Sequence, residues 1–242
     1  MCQPREPQSP SPWQSFKVHG RKRGFLTLRE KSWLDETLPG LRIPAATERA
    51  ALLDALVATP DARLILEIGF GNGQFLSTLA ARHPNDRFLG AEVFQEGEAA
   101  LIKRLNREGI GNVRLLPCAA QSALASDIPP ASLDWVIINF PDPWPKKRHH
   151  KRRIVQHDFL ELLAGRMRPG GLLTLATDWE EYAFWMDQTL NGHPAFVNLA
   201  PPPDRFVPQP DFWVATRFQT KGEAAGRPIF HLAWRRIGSL AP

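Results

Sequence analysis

At 242 residues the chain is long enough for one large domain, or one domain with an extension, around an ample core. Two cysteines, Cys2 and Cys118, exclude a disulfide framework or a zinc pattern and fit a reducing compartment. No apolar run approaches a membrane span and the N-terminus lacks the apolar core of a signal peptide, so a soluble cytoplasmic protein is expected.

Charge is unevenly placed. The net value is +5, residues 146–153 alone carry +6, and the rest of the chain therefore sums to −1. Basicity gathered into one strip fits a polyanionic partner better than general solubility.

In chain order, residues 1–12 are rich in Pro, Gln and Ser and read as a disordered tail. Residues 13–46 form an N-terminal arm carrying the basic cluster Gly20-Arg21-Lys22-Arg23-Gly24, either a polyanion contact or a solvated loop. The domain proper spans 47–242. A helix is expected over 47–58, with Thr47 as N-cap and Ala50, Leu53, Leu56 and Val57 on one face. A strand over 63–68 leads into a glycine turn, then a helix over 74–82 with Phe75, Leu76 and Leu79 facing inward. A strand over 87–93, closing on Glu92, a helix over 95–107 and strands over 112–116 and 133–139 follow. A helix over 155–167 is expected to close on Arg168-Pro169-Gly170-Gly171, before a strand over 172–177 ending at Asp178 and a helix over 180–191. A proline-rich loop over 194–210 precedes two strands, 212–219 and 229–235, read as an antiparallel pair. Strands alternating with helices give an α/β, Rossmann-like, mostly parallel doubly wound sheet with an antiparallel C-terminal strand pair.

Two stretches carry chemistry. Gly69, Gly71 and Gly73 form a turn between strand and helix, where backbone can approach a ligand and helix N–H groups face it. The spacing G-x-G-x-G fails the third position of the dinucleotide fingerprint and disfavours a nicotinamide dehydrogenase. With Glu67 in front it resembles motif I of class I S-adenosylmethionine-dependent methyltransferases. Glu92 is placed to accept hydrogen bonds from ribose hydroxyls, as an acid does in both classes.

The second stretch is Asn139-Phe140-Pro141-Asp142-Pro143-Trp144-Pro145, followed by Lys146 and the strip. Three prolines stiffen the chain just past a strand's carboxyl end, where open α/β sheets keep their ligands. The loop presents one acid, Asp142, and one aromatic, Trp144, which serves either to stack a base or to pack the loop. Asp178, at a strand end, has the position and chemistry of an N-cap for the next helix.

These pieces, with Ala176-Thr177-Asp178-Trp179-Glu180 and Thr216-Arg217-Phe218-Gln219, resemble the bacterial tRNA (guanine-N7-)-methyltransferase family from about residue 20 to 236. The resemblance implies a Rossmann-like methyltransferase that binds S-adenosyl-L-methionine, releases S-adenosyl-L-homocysteine and modifies guanine 46 of the tRNA variable loop. It implies Asp142 as the catalytic acid, also lying against the cofactor, and Glu67, Gly69, Gly71, Gly73, Glu92 and Ala119 as the other cofactor positions. Lys146, Asp178, Thr216, Arg217, Phe218 and Gln219 become substrate contacts, and Arg148, His149, His150, Lys151, Arg152 and Arg153 the RNA-contacting strip. No metal is expected, no protein partner is required, and the protein works as a monomer or homodimer.

The chain departs from the family pattern twice. Ala119 stands where a polar or acidic residue usually meets the adenine, leaving backbone, water or Gln121 for that contact. Gln219 replaces the usual glutamate, and an amide accepts through only one of its two ends. Two other readings stay open: a methyltransferase acting on an exocyclic amine, and an RNA-binding factor with a vestigial methyltransferase domain.

Overall fold

The computed structural model describes residues 26–41 and 61–238. The tail 1–12, the cluster 20–24 and the helix expected over 47–58 lie outside the described residues.

Among the described residues, seven strands, β1 (Leu64–Ile68), β2 (Arg87–Ala91), β3 (Val113–Leu116), β4 (Leu133–Asn139), β5 (Met167–Thr177), β6 (Phe196–Asn198) and β7 (Phe230–Arg236), form one sheet. Their order is β3-β2-β1-β4-β5-β7-β6. The first five run parallel, and β7 runs antiparallel to both β5 and β6. The helices are α1 (Leu28–Glu36), α2 (Leu38–Leu41), α3 (Gln74–Arg82), α4 (Gln95–Glu108), α5 (Ala120–Ser126), α6 (His157–Arg166), α7 (Glu180–Asn191) and α8 (Arg217–Ala224), with a 3₁₀ helix over Lys147–Arg152.

Helices cover both faces of the sheet, so its central strands are apolar without alternation. All five residues of β1 are buried. Leu64, Leu66 and Ile68 pack with Leu124 of α5, Phe159 of α6 and Met186 of α7. Ile65 points the other way, into Phe75 and Leu79 of α3 and Leu101 and Leu105 of α4. In β4 the same parity sends Val136 and Ile138 to the first layer and Trp135 and Ile137 to the second. Trp135 keeps its one polar atom satisfied by donating from Nε1 to Thr174 Oγ1 at 2.9 Å. Full burial of each such side chain contributes about 1.5–3 kcal/mol. Ahead of the sheet, Thr27 and Glu30 form a capping box that starts α1.

The strand order reverses between β1 and β4. Crossovers leave that point in opposite directions and open a crevice beyond the carboxyl ends of the strands. The glycine turn and the proline-stiffened loop leave the sheet at these two strands.

The expected elements need four corrections. α6 stops at Arg166, and 167–171 opens β5 instead of closing a helix. Leu133 pairs Met167, the register then shifts, and Trp135 pairs Leu172, so the Pro169-Gly170 stretch bulges from a strand that is already paired. The region 212–219 is not a strand. Phe212, Trp213 and Val214 pack on the α3 layer as irregular chain, and α8 begins at Arg217. Its start was readable, because Thr216-x-x-Gln219 has capping-box spacing and Gln219 N donates to Thr216 Oγ1 at 3.1 Å. The antiparallel partners of β7 are β5 and the three-residue β6, which lies inside the stretch expected to be all loop. α5 and the 3₁₀ helix were not anticipated.

Candidate active site

The glycine turn divides its work. Gly69, Gly71 and Gly73 all hold positive φ, 72°, 55° and 71°, a region only glycine enters without strain. A Cβ added to Gly69 would meet nothing within 4 Å, so that face of the turn is open. A Cβ on Gly73 would come within 2.6 Å of Leu101, so this glycine lets α3 start against α4. The Gly71 N–H donates to Glu92 Oε2 at 3.0 Å. Gly97, which the sequence reading passed over, belongs to the same unit: a Cβ there would collide with the Gly71 carbonyl oxygen. Its only signal was a glycine in the first turn of a helix, where propensity disfavours it.

Acids from three strands meet here. Glu67 lies in β1, Glu92 just past β2, and Asp142 in the loop after β4. Parity puts Glu67 and Asn139 on one face of adjacent strands, and Asn139 Nδ2 donates to Glu67 Oε1 at 3.3 Å. Glu67 is 2% exposed, and its Oε2 and the Asn139 Oδ1 are buried without a hydrogen-bond partner. Burial pushes the Glu67 carboxyl up to about 8, the bond from Asn139 lowers it, and the charge of Glu92 raises it further. Glu92 accepts from Val93 N at 2.8 Å, Phe94 N at 3.2 Å and Gly71 N. Burial nevertheless lifts Glu92 above the usual carboxylate range, and the negative charge of Asp142 adds to the rise. Asp142 is exposed. The site therefore gathers carboxyl groups on an open glycine turn, an arrangement that a cationic ligand would ionise and be held by.

The loop that carries Asp142 is strained on both sides of it. Phe140 and Trp144 hold φ of 49° and 44°, which side chains rarely adopt. Phe140 N is anchored to Ala176 O at 2.8 Å. Trp144 is partly buried, with the Arg152 guanidinium 4.9 Å from its ring centroid and the His149 ring edge-on at 5.8 Å.

The basic strip divides in two. Lys146, Lys147, Arg148, Lys151 and Arg152 are exposed on or beside the 3₁₀ helix. Two residues expected on the RNA side turn inward. The His150 ring stacks edge-on to Trp185 at 5.5 Å. Arg153 is 2% exposed, bound to Pro143 O and Glu181 and flanked by two aromatic rings. The guanidinium is buried and bonded through each of its three nitrogens to Pro143 and Glu181, so Arg153 does not stand with the exposed cations of the strip, a distinction that composition could not reveal.

Asp178, at the end of β5, pairs with Arg227, whose Nε and NH2 both donate to Oδ2 at 2.9 and 2.7 Å. α8 comes so close that a Cβ on Gly222 would lie 2.9 Å from the same oxygen. The N-cap alternative for Asp178 is not what forms: α7 is capped at Trp179, with no side-chain cap bond. Gln219 is 5% exposed, and both ends of its amide are engaged, accepting from Trp213 Nε1 and donating to Glu223 Oε1 at 2.7 Å. Thr216 caps α8, so its hydroxyl is used as well. Arg217 lies in the same turn, and Phe218 beside it.

This segment is tied to the glycine turn. Gln74 Nε2 donates to Ala215 O at 3.2 Å, and Trp213 packs on Phe75 at 5.2 Å, Phe140 at 6.3 Å and His231 at 4.4 Å. Trp213 thus joins α3, the loop after β4 and β7. Nothing in the sequence marked it beyond its being one of eight tryptophans.

Ala119 sits at the carboxyl end of β3 as the N-cap of α5, its carbonyl accepting from Ser122 N and Ala123 N at 3.0 and 3.1 Å. It brings no side-chain hydrogen bond to the crevice. Away from the crevice, His157, Glu161 and His193 place possible metal-ligand atoms within 4.8 Å of one another. His193 Nδ1 accepts from Ala195 N at 3.2 Å, which leaves the ring proton on Nε2, facing Glu161 Oε1 at 3.3 Å.

Residues 61–232 match a family described as "Putative methyltransferase". Solved structures share the fold: the 16S rRNA methyltransferase KamB, at 13% identity and TM-score 0.57, covers 78% of this chain and 94% of its own. A 16S rRNA (adenine(1408)-N(1))-methyltransferase from Catenulisporales acidiphilia, solved with cosubstrate SAM, aligns at 17% identity and TM-score 0.50, covering 80% and 93%. By class, then, the chain is a Rossmann-like methyltransferase. Among its relatives, the tRNA (guanine-N(7)-)-methyltransferase of Magnetococcus marinus is 52% identical over 91% of this chain and 88% of its own. Those of Bordetella pertussis and Chromohalobacter salexigens are 40% and 38% identical, over 89% and 97% of this chain and 83% and 95% of theirs. The chain belongs to the tRNA (guanine-N7-)-methyltransferase family.

Proposed function

We propose that the chain transfers the methyl group of S-adenosyl-L-methionine to N7 of a guanine in tRNA, at position 46 of the variable loop, releasing S-adenosyl-L-homocysteine. The observation that carries this reading is the meeting of Glu67, Glu92 and Asp142 around an open glycine turn, beside an exposed cationic helix. The residues fit the cofactor. Its sulfonium and amino groups are cationic, and Glu67 Oε2 and Asn139 Oδ1 are buried acceptors that lack a donor. Glu92 spends its carboxylate on three backbone N–H groups, which shapes the turn and leaves lone-pair capacity for a ribose hydroxyl.

The cofactor supplies a methyl group on positively charged sulfur. Guanine N7 has an in-plane lone pair and no proton, so this chain needs no general base. Its work is to align N7 with the methyl, which is catalysis by proximity and orientation. Transfer moves positive charge onto the purine, and the Asp142 carboxylate beside the ring favours that charge. The prolines and the anchored Phe140 keep Asp142 from relaxing away. Lys146 and the exposed strip residues hold phosphates, and the partly buried Trp144, with Arg152 over its ring, packs the loop beside them. Asp178 and the Thr216–Gln219 turn frame the guanine. With Gln219 engaged inward and Ala119 apolar, backbone groups supply what those side chains do not.

A cytoplasmic location follows from the substrate and from the two cysteines. Among the described residues no helix is long and apolar enough to cross a membrane. The chain acts as a monomer or homodimer without a protein partner. Incubation with methyl-labelled S-adenosylmethionine and unmodified tRNA tests the proposal: label enters tRNA and not ribosomal RNA or protein. Label that enters only another acceptor would overturn it.

A further inference from the structure

Arg153 ends the basic strip but does not share its exposure. Its Nε donates to Pro143 O at 2.8 Å, the residue after Asp142. Its other two nitrogens clasp both oxygens of Glu181, NH1 at 3.1 Å. Its planar face lies 4.9 Å from the ring centroids of both Tyr182 and Trp185. Glu181, Tyr182 and Trp185 all belong to α7, which starts two residues after Asp178. One guanidinium therefore joins three things: the exposed strip, the loop carrying Asp142 and the helix following Asp178. Neighbouring contacts reinforce the joint. Trp185 Nε1 donates to Val155 O at 2.9 Å, and Gln156 Nε2 to His150 O at 2.8 Å. Arg152, next in line, covers Trp144 of the same loop.

We propose that Arg153 is a positioning residue that converts the strip's grip on the tRNA backbone into alignment of Asp142 against the base. This rests on the methyltransferase reading above. A fork of donors is required. Lysine keeps the charge, but its three donors radiate from one nitrogen and do not match the planar spread that reaches Pro143 O and both Glu181 oxygens. The burial suits a guanidinium, because each of its three nitrogens has a fixed protein acceptor. A displacement of the Pro143 carbonyl carries Asp142 with it, and misplacement on the scale of 1 Å costs roughly a hundredfold in rate.

The test compares Arg153→Lys, Glu181→Gln and the double variant with wild type. It reads turnover at saturating tRNA, the salt dependence of tRNA binding, and cofactor affinity. Glu181 is half exposed at its side chain, so Glu181→Gln keeps the test alive if Arg153→Lys fails to fold. The expected result is a fall in turnover of roughly ten- to a hundredfold for Arg153→Lys, with a smaller fall for Glu181→Gln. The double variant is no worse than Arg153→Lys, and the salt slope and cofactor affinity stay at wild-type values. Three results would overturn the inference: a salt slope shallower by about one in Arg153→Lys, which marks a phosphate contact; lower thermal stability with unchanged turnover; or both single variants matching an active wild type. A wild type that methylates no tRNA would instead bring down the methyltransferase reading itself, and this one with it.

Discussion

Replacing Glu67 with glutamine should make the protein more stable at neutral pH and poorer at binding its cofactor. The carboxyl is 2% exposed, has one hydrogen bond at 3.3 Å, and keeps a second oxygen without a partner. Burial holds it near 8, against 4.5 in an ordinary setting. The sign follows from proton counts. Between those two values the unfolded chain has released the proton and the native protein still holds it, so stability falls as pH rises through the window and levels off above about 8. A gap of that size corresponds to roughly 5 kcal/mol at high pH and roughly 3 kcal/mol at pH 7, at about 1.4 kcal/mol per unit. Glutamine mimics the protonated acid and does not titrate. Urea unfolding of both proteins from pH 4 to 9 should therefore show no difference at pH 4 and a growing advantage for Glu67→Gln above pH 5. The difference between the two proteins is the quantity to follow, because His231, lowered by burial to about 4, makes both of them less stable as pH falls below 6.5. A gap that is constant with pH, or absent at pH 8, would refute the reasoning. The cost of keeping this acid makes sense if a cationic ligand ionises it. Losing a charge-assisted hydrogen bond should weaken cofactor binding by about 1.5–3 kcal/mol.

Cofactor binding to the native protein should release close to one proton near pH 7 and none well above pH 8, measured by calorimetry in buffers of different ionisation enthalpy. Equal heats in all buffers would separate Glu67 from the ligand. Asp142→Ala should cut turnover by roughly a hundred- to a thousandfold while leaving cofactor binding measurable in a direct titration; near-normal turnover would remove Asp142 from the chemistry. Neutralising Arg148, Lys151 and Arg152 together should lower the slope of log affinity against log salt by about two to three, and an unchanged slope would take the exposed strip out of the interface.

Much of this was legible in the sequence because it is local. The β1–turn–α3 unit shows in an apolar run, three glycines and an amphipathic helix, and its helix bounds match those expected. β4 likewise matched, since a buried central strand is a continuous apolar run that ends where prolines begin. Asp142 was visible for the same reason. What stayed hidden depends on distant partners. Region 212–216 has the composition of a strand, but α3 offers it a packing surface and backbone partners, so it folds as irregular chain before α8. β6 is three residues long and exists only because β7 pairs with it. Arg153 looked like one more cation in a run of six; only the approach of α7 decides that it faces inward. Gln219 looked like a base-reading residue, but Trp213 and Glu223 engage it.

The measurement that bears most directly on the central claim is the identity of the methylated atom. tRNA methylated by the purified protein would be cleaved chemically at N7-methylguanine and the break mapped. The account predicts a single break at one guanine of the variable loop, absent when S-adenosylmethionine is withheld. Methyl label in tRNA with no such break, and the label found on an exocyclic amine, would contradict it.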